Sequence, residues 1–146
     1  MKKQKNIGNK GFSLVELIIV IAIMAILVGV MAPQLLKYVE KSRISADTQV
    51  ADTVRTAVVT ALLDPAVTDG PGATAATDIG SAPYTASTDF SKTFLEILGD
   101  TVANTKAKLK SNAYKGQDIK VQITDTKQVI VTVESKDATV NDLEIK

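Results

Sequence analysis

Glu16 is the sole ionisable side chain between Phe12 and Ala32, in the run "FSLVELIIVIAIMAILVGVMA", where Ser13 is the only other polar residue. A charge at the centre of a membrane helix costs roughly 2.5 to 3.5 kcal/mol, so a carboxylate in such a run implies a use for it. One use is local. Ser13-Leu14-Val15-Glu16 has capping-box spacing, with Ser13 accepting from the backbone N–H of residue 16 and Glu16 reaching back to the N–H of Ser13 at the positive end of the helix dipole. A second use needs a cation one turn away. Elsewhere the chain offers little for catalysis: it has no His and no Cys, which removes imidazole bases, Ser-His pairs, thiolates, disulfides and nearly all transition-metal sites. No catalytic residue, cofactor or metal ligand is assigned, and an enzyme is not expected.

The elements that position Glu16 follow from pattern. Phe12 to Ala32 spans about 31 Å as a helix at 1.5 Å per residue, the thickness of a hydrocarbon core. After Pro33, the residues Leu36, Val39, Ala46, Val50, Val54, Ala57, Val58, Ala61 and Leu62 recur mostly at steps of three and four, which predicts an amphipathic helix ended by Asp64-Pro65. The two stretches read as one helix of about fifty residues, by the same rise near 75 Å long. Gly29 and Pro33 make a weak point in it. Pro33 has no N–H to give the carbonyl of residue 29, and Gly29 is the poorest ordinary helix former.

Downstream, residues 68–89 are rich in Gly, Pro, Ser, Thr and Asp and read as a long surface loop. "DFSKTFLEILGD" reads as a short helix with Asp89 as a cap, Phe90, Phe94, Ile97 and Leu98 on one side and Gly99 at its stop. "DIKVQIT" and "QVIVTVE" alternate at period two and predict a hairpin, although "QVIV" is apolar on both sides and leaves its inward face open. A last strand is expected in "DLEIK". The predicted fold is α+β: a long N-terminal helix, hydrophobic in its first half, packed by its second half on a small C-terminal antiparallel sheet. The expected divisions are residues 1–11 as leader, 12–35 as transmembrane or filament-core helix, and 36–146 as a globular head.

Charge supports a division at Gly11. Lys2, Lys3, Lys5 and Lys10 all precede it and no acid does, which leaves 13 basic against 16 acidic side chains in the remainder. That mildly acidic body argues against a general nucleic-acid binder, and nucleic acid stays an unsupported partner. Lys106, Lys108, Lys110 and Lys115 beside Tyr114 form a candidate patch for DNA, glycan or another acidic surface, with a solvated face as the plain alternative. Asp64, Asp69, Asp78 and Asp89 bracket the loop without calcium-loop spacing.

Three readings compete for the opening stretch. A secretory signal peptide would have a shorter apolar run and a spacer, and Pro33 would immediately follow its cut. A plain single-span anchor presenting a binding head explains Ser13 and Glu16 as a capping box and leaves the N-terminus uncut. The third reading uses the residues in front as well. "KGFSLVEL" resembles the class III signal of the type IV pilin family: a short basic leader ending in Gly11, Phe12 as the new N-terminus, and Glu16 as the fifth residue after the cut. The resemblance is close from Lys10 to Pro33 and loose over the helix-loop-sheet order.

The resemblance implies cleavage between Gly11 and Phe12 by a prepilin peptidase and N-methylation of Phe12. It also implies a homopolymer of identical subunits, raised from the cytoplasmic membrane by separate motor and platform proteins into an extracellular fibre for adhesion or motility. Cleavage would create a cationic amine at Phe12, with Glu16 one helical turn away at i+4. Two unit charges 4 Å apart attract by about 4 kcal/mol at an effective dielectric near 20, comparable to the cost of Glu16 in lipid. Pairing with a neighbour's amine would make Glu16 a register device in assembly. The family alternative is a pseudopilin of a type II secretion or DNA-uptake apparatus, which shares this leader and helix.

Overall fold

The computed structural model describes residues 11–146. Helix α1 runs from Leu14 to Leu63, 50 residues with Pro33 inside it. It stops where Asp64-Pro65 follows, since the residue before a proline is crowded out of the helical region. Strand β1 (Thr74–Asp78), helix α2 (Asp89–Leu98), helix α3 (Val102–Ala107) and strands β2 (Ile119–Ile123), β3 (Val129–Val133) and β4 (Leu143–Ile145) complete the order. The α+β class and the C-terminal antiparallel sheet are as the patterns predict.

The four strands lie in the order β1-β2-β3-β4, every neighbour antiparallel. Val121 faces Val131 across the central pair, and Val131 faces Ile145 on its other side. The register settles the open face of "QVIV": Val129, Val131 and Val133 are buried, whereas Ile130 and Thr132 are half-buried on the other face. A single apolar cluster joins these residues and Ile119, Val121 and Ile123 to Ala51, Val54, Ala57, Val58 and Ala61 of α1. Small Ala and Val side chains on the α1 stripe allow close approach to β-branched strands.

Chain contacts separate two units, one through Tyr38 and one from Val39 to Lys146. In the first, every described residue is exposed. The amphipathic stripe therefore begins later than its apolar residues suggest. Leu36, Val39 and Ala46 are exposed, and the buried positions are Asp47, Ala51, Val54, Ala57, Val58 and Ala61. The steps of four and three from 47 to 61 put Asp47 in phase with the stripe and Ala46 out of it.

Three expectations for the middle of the chain need correction. The stretch 68–89 is not a plain loop. It contains β1, and Ile79 and Tyr84 within it are fully buried. Tyr84 packs with Phe90 and Phe94, ring centroids 5.5 to 6.4 Å apart, and burial pushes its hydroxyl up to about 12. The α2 cap is Thr88, not Asp89: Thr88 accepts from the Ser91 N–H and Ser91 returns the bond in a capping box. Ile97, expected beside Phe90, Phe94 and Leu98, is 38% exposed while those three are buried. Gly99 closes α2 at φ 67, the left-handed conformation that a glycine adopts at no steric cost. The Lys-rich stretch also holds a helix, α3, capped by Thr101.

Candidate processing and assembly site

Gly11, Phe12 and Ser13 precede the first turn of α1 in non-helical backbone. The Gly11–Phe12 peptide bond thus lies outside the helical hydrogen-bond ladder, and Phe12 is 92% exposed. The Ser13 N–H donates to Glu16 Oε2 at 2.9 Å, the returning half of a capping box. Its other half is displaced by one residue, because the Ser13 hydroxyl accepts weakly from Val15 N at 3.4 Å and not from residue 16. The Leu17 N–H donates to the Ser13 carbonyl at 3.2 Å and closes the first turn. Glu16 is therefore held at the N-terminal end of α1, with its carboxylate turned toward the residues just before the helix. An amine created at Phe12 would arise four residues before Glu16, in the non-helical backbone that leads into α1. Lys10 and the expected leader residues before it lie outside the described residues.

Behind this end, Gly29 and Pro33 sit within continuous helix, and a Cβ added at Gly29 would meet nothing within 4 Å. Among the described residues α1 is the one helix long and apolar enough to cross a membrane. Leu17, Ile18, Ile19, Val20 and Ile21 are each at least half exposed, so none of them is covered by a described residue.

The lysine group does not form a single patch. Lys106 sits between Asp78 (2.6 Å) and Asp118 (2.8 Å). Burial disfavours its charge, but hydrogen bonds to Asp118 and Asp78 outweigh that and raise its pKa. Lys108 pairs with Asp100 at 2.9 Å. Hydrogen bonds from Lys108, Asn104 and the Thr101 N–H hold the Asp100 carboxyl at about 2. Tyr114 is buried and donates to the Asn141 carbonyl at 2.7 Å. Lys110 and Lys115 make no ion pair with a described residue.

The aspartates around residues 64–89 have separate tasks as well. Asp64 caps the Ala66 N–H, Asp69 accepts from both the Asp89 and Phe90 N–H groups at 2.9 Å, and Asp89 pairs with Lys92. A residue that pattern reading passed over is Asp47. It is fully buried and accepts from Lys110 N at 2.8 Å, Ser111 N at 2.9 Å and the Ser111 hydroxyl, which ties the 108–115 connection to α1. Glu40, two turns earlier, accepts from the Asn112 N–H. The signal was the phase of the stripe, in which an acid at a core position demands donors from another element.

An α+β chain whose exposed apolar helix begins at an acid-capped end is the class defined so far. Residues 7–32 match the family described as the prokaryotic N-terminal methylation motif. The chain is also similar to type IV major fimbrial proteins FimA of Dichelobacter nodosus. It is 44% identical to one of these over 56 residues, which cover 38% of this chain and 36% of that relative. To another it is 43% identical over 56 residues, 35% of the relative's length. The match therefore spans little more than a third of those relatives. No solved structure matches the chain. The chain thus carries the N-terminal methylation motif and, over 56 residues, is similar to type IV fimbrial proteins.

Proposed function

We propose that this chain is the structural subunit of a type IV pilus: cleaved after Gly11, methylated at Phe12 and polymerised through its apolar helix into an extracellular fibre. The observation that carries this reading is the pairing of the methylation motif with a membrane-length helix half on which no described residue is covered. Such a surface is stable only in lipid or among neighbouring apolar helices, and a fibre core exchanges one for the other. Before assembly the subunit waits in the cytoplasmic membrane. A prepilin peptidase, an assembly motor and a platform protein act on it from outside the chain. The protein itself performs no chemistry. Its product is the polymer, used in adhesion or motility.

Cells expressing the chain are sheared, and the released material is tested by intact-mass and N-terminal analysis. The expected result is long filaments dominated by this protein, beginning at a methylated Phe12. Substitution of Gly11 by a bulky residue leaves uncut precursor in the membrane. A surface form that begins at Met1 or Gln34 overturns the reading, and a Phe12 form confined to the cell envelope assigns the chain to the short-fibre pseudopilins.

A further inference from the structure

The Val39–Lys146 unit contains a partly enclosed cavity of about 400 Å³ at the end of α1, between residues 67–73 and the turn that joins β2 to β3. That volume is within the range of small-molecule sites, roughly 300 to 1,000 Å³. Its apolar lining comes from Leu62, Val67, Pro71, Ala73 and Ile123, with no aromatic ring among them. On the facing wall, the backbone of residues 68–72 makes no backbone hydrogen bond with a described residue, which leaves N–H and C=O groups available. The β2–β3 turn adds Asp125 and Lys127, and neither makes an ion pair with a described residue.

Lys127 is the informative residue. Its φ of 61 lies in the left-handed region, where hairpin turns ordinarily carry Gly or Asn. A lysine in that place gives the turn nothing that glycine would not give at lower strain. What it adds is a cationic side chain on a residue that lines both this cavity and the adjoining niche formed with Val59, Leu62, Leu63 and Val129.

We propose that this cavity binds an acidic sugar, a hexuronate or the carboxylated terminal residue of a glycan. The Lys127 ammonium takes the carboxylate, while Asp125, Thr68 and the unpartnered backbone groups serve the ring hydroxyls. The aliphatic floor takes the C–H face of the ring. Asp125 beside Lys127 keeps the site near neutral, which favours a single carboxylate over a phosphate dianion. A nucleobase finds no ring to stack on. Polymerisation is not a premise here, so the site is testable on the unassembled chain.

The full-length chain in detergent micelles is titrated with D-glucuronate, with D-glucose and inorganic phosphate as comparison probes, by calorimetry and ligand-observed NMR. Glucuronate should bind at least tenfold more tightly than either. Lys127→Gly keeps the turn, because glycine adopts the same φ, and should weaken glucuronate at least tenfold while glucose binding is unchanged. Lys127→Asn, also at ease in the left-handed region, repeats the loss if the glycine variant folds poorly. Absent glucuronate binding, equal affinity for glucose, tighter binding of phosphate, or full affinity in folded Lys127 variants each overturns the assignment.

Discussion

Glu16 holds one bond in the described chain, and a cut before Phe12 would offer a second. The first is the 2.9 Å bond from the Ser13 N–H, and a cap of this kind is worth about 0.5 to 2 kcal/mol. The second is the amine that a cut before Phe12 would create. The two uses separate in a Glu16→Ala variant expressed as the sole subunit: it should insert and be processed, yet fail to enter fibres. Normal fibre yield would reduce Glu16 to a cap. Asp47 makes the opposite case, a buried carboxylate with a structural task. Asp47→Ala strands the Lys110 and Ser111 donors, each lost partner costing on the order of 1 to 3 kcal/mol. Urea denaturation of the folded head should show a loss of about 3 kcal/mol or more, and a change under 1 kcal/mol would mean that water replaces the carboxylate freely.

At the scale of elements, the β2–β3 pairing decides which substitutions the head tolerates. Val121 and Val131 are opposed and fully buried, so Val121→Asp or Val131→Asp places an unpaired carboxylate in the core and should cost on the order of 4 kcal/mol or more, enough to abolish cooperative unfolding. Thr132→Asp, on the half-buried face of the same strand, should leave the transition in place. The reverse ranking in thermal melts would mean that the strand presents its other face. In α1, the missing hydrogen bond at Pro33 and the weak propensity of Gly29 together cost about 4 kcal/mol relative to Ala. The helix is continuous in the single chain. Within a fibre, where stretching force acts and neighbouring chains surround the turn, the segment from Val28 to Pro33 should open, each melted residue lengthening the path from about 1.5 to about 3.3 Å. Gly29→Ala with Pro33→Ala should give stiffer fibres or none, and a filament map with unbroken helix from Leu14 through Leu62 would count against the opening.

For the whole molecule, the division near Tyr38 has a direct consequence. The apolar cluster draws on α1 only from its second half, and nothing described before Val39 is buried. Removing the first half therefore removes no core contact. A chain beginning at Lys37 should be soluble, monomeric and cooperatively folded, whereas the full chain should need detergent or lipid. A truncated chain that stays unfolded would show that the head depends on the anchor. The same reasoning motivates the proposed polymer: an apolar surface with no use in the folded head would be covered by lipid or by copies of itself.

Patterns carried by neighbouring residues were legible without coordinates. The membrane-length run, the spacing of Gly11, Phe12 and Glu16, the helix end before Asp64-Pro65, the Gly99 stop and the two alternating strands each rest on interactions within a few residues of chain. Other features depend on partners tens of residues away. β1 is an Ala/Thr strand without apolar alternation, and the ladder to β2 makes it a strand. Asp47 looks like a surface acid until Lys110 and Ser111, more than sixty residues on, bring their donors to it. Tyr84 lies in a Gly/Ser/Thr-rich stretch, and only its packing against Phe90 and Phe94 puts it in the core. Burial is a property of what arrives from elsewhere in the chain, so the tertiary structure alone assigned the inward face of β3, the true start of the α1 stripe and the cavity beside Lys127.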